Sequence, residues 1–99
     1  MYLTVKTLDI QILVSDFYGV PVERMHARTQ LTTPTRARHV AMYLVRSYCR
    51  MSYPEIGRLF GRDHSTVLHA VRRVGEDLAA LRDEVSALRA MIDARRVAP

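Results

Sequence analysis

A stretch of 23 residues, 52–74, constrains the fold of this chain more than any other feature. Ser52 is a good helix N-cap, Pro54 falls within the first turn, and Glu55 follows Ser52 at the spacing of a capping box. Apolar residues then repeat on one helix face: Ile56, Leu59 and Phe60. Gly61 is a suitable C-terminal cap. The pattern predicts a short helix from about Tyr53 to Phe60.

A second helix is predicted directly after a tight turn. Asp63 is a strong N-cap, and the apolar residues that follow share one face: Val67, Ala70, Val71 and Val74. The first turn carries short polar side chains, and Arg72 and Arg73 lie further along. Short hydrogen-bonding groups suit base edges and arginines suit phosphates. Residues 52–74 therefore predict a helix-turn-helix that enters a DNA groove.

The remaining chain predicts further helices and no strand. Helical spacing of apolar residues indicates helices at about 7–18 and 34–49, the second capped by Thr33, with one short helical turn at 22–26. A C-terminal amphipathic helix is expected over 76–96. We therefore expect an all-α, compact domain of about six helices that spans residues 1–99.

Charge and cysteine content narrow the functional classes. The chain has 15 Lys and Arg against 10 Asp and Glu, and 14 of the 15 are Arg. An Arg-rich basic domain favours a polyanionic partner. Cys49 is the single cysteine, and no apolar run has the length of a membrane span or resembles a signal peptide. We expect a cytoplasmic, nucleoid-associated protein with no membrane partner.

Residues 56–74, IGRLFGRDHSTVLHAVRRV, resemble the signature of the C-terminal DNA-binding domain (domain IV) of the bacterial replication initiator DnaA. The likeness extends more loosely to about residue 7. It implies a Trp-repressor-like helix-turn-helix whose major-groove readers are Asp63, His64, Ser65 and Thr66. It also implies contacts to the DNA backbone from Arg28, Arg36, Arg38, His39, Arg46, Tyr53, Pro54 and Arg62. The implied partner is double-stranded DNA.

Two departures from the family pattern bear on the target site. The loop at 27–34 is rich in Arg and Lys in the family, and one arginine there enters the minor groove; here only Arg28 is basic and that position falls near Gln30. We expect Gln30 or Arg28 to take the minor-groove role. Many family members also carry an extra residue where this chain has only Gly61 before Arg62, which predicts a different tilt of the recognition helix.

Other chemistries have little support in the sequence. His64 and His69 do not share a helix face and Cys49 is distant, so no metal site is expected. Cys49 is expected to pack in the core rather than act as a nucleophile. Glycine-rich phosphate loops are absent, so neither a nucleotide cofactor nor an enzymatic activity is expected.

The C-terminal helix leaves two interpretations open. Its apolar residues follow a heptad seam at Leu78, Leu81, Val85, Leu88 and Ile92, with Gly75 as a point where the helix bends or breaks. The seam either packs back on the core or forms a coiled coil with a second copy or another protein. Two functions follow: a sequence-specific DNA-binding regulator of transcription or of replication initiation, or an interaction adaptor with weak DNA binding.

Overall fold

Six α-helices build the protein in a computed structural model that describes residues 5–28 and 31–96. They are α1 (Thr7–Tyr18), α2 (Val22–His26), α3 (Thr32–Cys49), α4 (Tyr53–Phe60), α5 (His64–Glu76) and α6 (Leu78–Arg96). The described residues contain no strand, which confirms the all-α prediction. None of these helices is both long enough and apolar enough to cross a membrane.

Helix α3 lies at the centre of the fold and packs against α1, α2, α4 and α5. Of the apolar stripe predicted from helical spacing, five residues are fully buried and Tyr48 is partly buried; the five are Ala37, Val40, Ala41, Leu44 and Val45. The largest fully buried side chains come from every helix: Ile10, Val14, Met25, Val40, Met42, Leu44, Val45, Ile56, Phe60, Val67, Leu88 and Ile92. Each such side chain contributes about 1.5–3 kcal/mol of burial free energy. Helices α4 and α5 are thereby held rigidly on α3.

The start of α4 follows from its capping residues. Ser52 Oγ accepts a hydrogen bond from Glu55 N at 3.2 Å, and Glu55 Oε1 accepts one from Ser52 N at 3.0 Å. These hydrogen bonds lower the pKa of the Glu55 carboxyl. At the other end Gly61 adopts φ 66°, and its N–H donates to Gly57 O. Both predicted boundaries of α4 are confirmed.

The turn between α4 and α5 approaches Gly57 so closely that only glycine fits. Arg62 N donates to Gly57 O at 2.8 Å. A Cβ atom at position 57 would lie less than 3.0 Å from Arg62 O. Gly57 therefore sets how near the turn comes to α4, and with it the position at which α5 begins.

The predicted N-cap is wrong for α3 and confirmed in position for α5. Helix α3 begins at Thr32 with Leu31 as its N-cap, so Thr33 lies inside the helix. Asp63 does occupy the N-cap position of α5, but its side chain accepts no capping hydrogen bond. The Asp63 carboxylate is thus left exposed at the start of the helix.

Helix α6 packs back on the core, which is the first of the two interpretations. Val85, Leu88 and Ile92 are buried, whereas Leu78 is 37% exposed. The chain breaks at Asp77 rather than at Gly75. Polar contacts on the flanks hold α6 in place: Tyr18 Oη donates to Glu84 Oε2 at 3.0 Å, Tyr48 Oη donates to Asp93 Oδ1 at 3.1 Å, and Arg95 pairs with Asp9 at 3.6 Å. The seam residues Val85, Leu88 and Ile92 are therefore not available to a partner helix.

Candidate nucleic-acid interface

The first turn of α5 presents all four predicted base-reading residues to solvent. Asp63, His64, Ser65 and Thr66 are exposed, whereas Val67 directly after them is fully buried. The buried face of α5 continues through Ala70 and Val74. Because this face is fixed in the core, the exposed turn projects from a rigid support, as a recognition helix requires.

A cleft of about 460 Å³ opens beside this turn. Its lining comes from the α2–α3 connection, from α4 and from the start of α5: Arg28, Pro54, Gly57, Arg58, Gly61, Arg62, Asp63, His64 and Thr66. Three arginines share this lining. The structure thus brings Arg28, Pro54 and Arg62, predicted to contact the DNA backbone, next to the predicted base readers.

Arg38 lies inside the protein, although the family resemblance implied a phosphate contact. Its side chain is 8% exposed, and Nη1 donates to Met25 O at 3.3 Å and to Ala27 O at 3.4 Å. Burial, followed by the charge of Arg62, lowers its pKa. This placement favours a structural role at the end of α2 over a contact with DNA.

Arg62 is only partly available for a contact with DNA, because its guanidinium donates hydrogen bonds to four carbonyl oxygens. It donates to Phe60 O at 3.1 Å, Gly61 O at 3.4 Å, His26 O at 3.3 Å and Ala27 O at 2.9 Å. The first two belong to the turn before α5 and the last two to the end of α2. Arg62 therefore fastens the helix-turn-helix to the segment that leads into the α2–α3 loop.

Arg46 is also engaged within the protein. Its guanidinium lies 4.5 Å from the centre of the Tyr53 ring, and Nη1 donates to Met51 O. A cation over an aromatic face, with a carbonyl acceptor beside it, is a stabilising arrangement. Arg46 and Tyr53 thus fix the connection between α3 and α4. This placement favours a structural role for both residues over their predicted contacts with DNA.

Arg36 and His39 lie apart from the cleft, in a cavity of about 350 Å³ formed by α3, the end of α5 and the start of α6. Arg36 is half exposed and pairs with Glu84 at 3.9 Å. Burial, then the charges of Arg38 and Arg73, lowers the pKa of His39. Arg73 of α5 lines the same cavity. Arg36 and Arg73 therefore lie together at the other end of α5, where the lining also contains Asp77.

Sequence reasoning missed two residues of this region. Arg58 is exposed and lines the cleft; its position off the apolar stripe of α4 was the available signal. His26 stacks on Phe60 with ring centres 4.7 Å apart and an interplanar angle of 13°, and its Nε2 lies 2.6 Å from Gln11 Oε1. No sequence pattern pointed to this contact. Gln30, predicted for the minor groove, lies outside the described residues.

No group of three or more His, Cys, Asp or Glu side chains that could hold a metal ion occurs in the described part of the chain. Cys49 is half-buried, and its Sγ lies 3.6 Å from Val5 O. Burial, then the charge of Asp9, raises the pKa of its thiol. A thiol with a raised pKa is a weak nucleophile at neutral pH, which agrees with a packing role.

Comparison with known proteins identifies the family. The family model described as the bacterial dnaA protein helix-turn-helix matches residues 7–74, which extend from the start of α1 into the last turn of α5. The chromosomal replication initiator protein DnaA of Methylibium petroleiphilum is 48% identical over 68 residues, 68% of this chain and 15% of that protein. The DnaA proteins of Leptothrix cholodnii and Paraburkholderia phymatum are each 46% identical, over 72% and 70% of this chain.

The chain spans only 14–15% of the length of these relatives. The match to the family model covers the helix-turn-helix, the cleft beside it and the four residues on the exposed turn of α5, and it leaves all of α6 outside the matched range. The resemblance predicted from residues 56–74 is confirmed. This chain belongs to the bacterial DnaA helix-turn-helix family.

Proposed function

We propose that this protein binds double-stranded DNA sequence-specifically, with the first turn of α5 in the major groove. The observation that carries the proposal is the exposure of Asp63, His64, Ser65 and Thr66 on one turn of a helix whose opposite face is buried. A major groove admits an α-helix, and the first residues of that helix then reach the base edges.

The side chains on this turn supply complementary hydrogen-bonding chemistry. The Asp63 carboxylate accepts a hydrogen bond from a cytosine amino group, and the lack of a capping bond leaves it free for this role. His64 can donate or accept, and Ser65 and Thr66 can bond to a base or, for Thr66, touch a thymine methyl group. Each well-placed contact discriminates against a wrong base by about 1–3 kcal/mol.

Cations around the turn supply the electrostatic part of binding. Arg28 and Arg58 lie in the cleft beside the turn, and Arg36 and Arg73 line the cavity at the other end of α5. Arg38, Arg46 and Arg62 are bonded to carbonyl oxygens of the protein and contribute less. We therefore infer a smaller set of phosphate contacts than the sequence alone suggested.

The biological role that fits this interface is regulation at specific DNA sites. The relatives are named chromosomal replication initiators, which favours a role at the boxes that DnaA recognises. The loop at 27–34 has Arg28 as its single basic residue, which favours a different target and hence a role in transcription. The adaptor alternative loses support, because Val85, Leu88 and Ile92 are buried in the core.

Binding to a DnaA-type box and to a scrambled duplex, followed by fluorescence anisotropy at low and at physiological salt, tests the proposal. The box should bind more tightly, and His64→Ala should reduce the preference by about tenfold. His69→Ala is the matched control, since His69 is an exposed histidine one turn further along α5, outside the cleft. Failure of both duplexes to bind at any salt concentration would refute the proposal.

A further inference from the structure

Two arginines in the cleft beside α5 form no hydrogen bond or salt bridge with the described residues, although the charge of Arg58 acts on the exposed carboxylate of Glu55 and helps to lower its pKa. Arg28 comes from the α2–α3 connection and Arg58 from α4, and both line the same cleft. Both are exposed, and no hydrogen bond or ion pair joins either to another described residue. This distinguishes them from Arg38, Arg46 and Arg62, whose guanidinium groups donate to carbonyl oxygens.

The position of Arg28 is set by the helix-turn-helix itself. Arg62 Nη2 donates to the carbonyl of Ala27, the residue immediately before Arg28, at 2.9 Å. Arg62 Nη1 donates to carbonyls of the turn between α4 and α5. Arg28 is therefore fastened, through Arg62, to the turn that precedes the base-reading residues, while Arg58 is fixed on the preceding helix.

The shape of the cleft leaves room for an anion between these groups. Gly57 and Gly61 form part of its lining and contribute no side chain. Guanidinium groups bind phosphate oxygens through charge-assisted hydrogen bonds. Two cations that face one cleft repel each other until an anion lies between them. Asp63 also lines the cleft, and its negative charge opposes a free anion.

We propose that Arg28 and Arg58 together bind one phosphate of the DNA backbone, next to the base pair that the first turn of α5 reads. This inference rests on the proposed function and assigns a role to Arg58, which neither the sequence pattern nor the family resemblance had given. The anion is a DNA phosphate rather than free phosphate, because the repulsion from the Asp63 carboxylate is offset only on a duplex, where a base amino group donates a hydrogen bond to that carboxylate. This pair of arginines, called the clamp below, supplies part of the positive charge that the loop at 27–34 lacks.

Single methylphosphonate substitutions in the bound duplex test this proposal, because each removes the charge of one phosphate. Affinities are measured for the full chain, Arg28→Gln, Arg58→Gln and the double variant, with Arg82→Gln as the control. Arg82 is exposed on α6 and lines a different surface. Thermal unfolding of each variant verifies the fold.

Arg58→Gln should weaken binding roughly tenfold, and equally on a DnaA-type box and a scrambled duplex. It should also lower the slope of log K against log salt by about 0.9, the value for one phosphate contact. One methylphosphonate position should weaken the wild type by at least a similar factor, weaken Arg28→Gln and Arg58→Gln less, because one arginine remains at that phosphate in each, and leave the double variant unaffected. Arg82→Gln should match the wild type throughout.

The clamp is overturned if Arg58→Gln binds as tightly as the wild type, or if Arg28 and Arg58 couple to different phosphates. In either case the proposed function would stand if His64→Ala still reduced the preference for the box over the scrambled duplex. Free inorganic phosphate that protects the chain against unfolding in an Arg58-dependent manner would also overturn it, since the site would then take an anion without DNA. A wild-type chain that binds no duplex would refute the proposed function and the clamp together.

Discussion

Replacing Gly57 by alanine should destabilise the protein, although alanine is the better helix former. In the interior of a helix alanine is favoured over glycine by about 1 kcal/mol. The added Cβ at position 57, however, would lie less than 3.0 Å from Arg62 O, with Arg62 C and Asp63 C at 3.5 Å. These are backbone atoms, so relief requires the turn to move away from α4.

The net effect follows from two opposing contributions. Overpacking of this kind costs about 1–3 kcal/mol. Displacement of the turn also weakens the 2.8 Å hydrogen bond from Arg62 N to Gly57 O, which is worth about 1 kcal/mol. After the gain in helix propensity, we expect a net loss of about 1–3 kcal/mol in the free energy of unfolding. For a domain of this size each kcal/mol lowers Tm by about 4–8 °C.

Gly75 provides a matched control. It lies in α5, and a Cβ built there meets no atom within 4 Å. Gly75→Ala should therefore gain up to about 1 kcal/mol from helix propensity alone. Urea unfolding followed by circular dichroism compares the two variants with the wild type. If Gly57→Ala is as stable as the wild type, the close approach of the turn to α4 is wrong, and so is the position inferred for the start of α5.

Three further predictions concern the core, a buried arginine and a histidine. Leu88→Ala should cost about 2–5 kcal/mol in urea unfolding, since Leu88 is fully buried; a loss below about 1 kcal/mol would mean that α6 is not part of the core. Arg38→Ala should cost about 1–3 kcal/mol of stability and leave the salt slope of DNA binding unchanged; a lower slope at full stability would instead indicate a phosphate contact. Burial, then the charges of Arg62 and Arg38, lowers the pKa of His26 from its ordinary value of 6.5. The folded state therefore favours neutral His26, and this contribution to stability is complete above pH 6.5 and is lost as the pH falls through the folded-state pKa. Urea unfolding at about pH 7.5 and about pH 5.5 should show this loss, and His26→Gln should reduce it; an identical pH dependence in the variant would contradict the assignment.

The helix boundaries that the sequence predicted well are those set by local interactions. Ser52, Glu55 and Gly61 define α4 through contacts between residues three or four apart, so the pattern of residue types carried the information. The start of α3 was missed because Thr33 is a suitable cap that the structure does not use.

The exposed turn of α5 could also be predicted, because the buried residues Val67, Ala70 and Val74 define the opposite face by their spacing. The roles of the arginines could not. Arg62 bonds to His26, a residue 36 positions away, and Arg38 to Met25, 13 positions away. An arginine that serves a distant carbonyl and one that faces solvent have the same appearance in a sequence.

The heptad seam of α6 illustrates the same limit. A regular spacing of apolar residues can pack equally well against a partner helix or against the chain's own core, so the sequence left both interpretations open. The choice depends on whether α1 and α5 leave an apolar surface uncovered, which only the three-dimensional arrangement shows. Val85, Leu88 and Ile92 fill that surface, and Tyr18 and Tyr48 fix the helix through hydrogen bonds to Glu84 and Asp93.

Selection of bound duplexes from a library with randomised sequence tests most directly whether the first turn of α5 reads bases. The wild type should enrich one motif, and His64→Ala should relax the preference at one position of that motif while His69→Ala leaves every position unchanged. Enrichment of the same motif at full strength by His64→Ala and by Asp63→Asn would contradict base reading by this turn. Retention of DNA with no enriched motif would show that the protein binds the backbone alone.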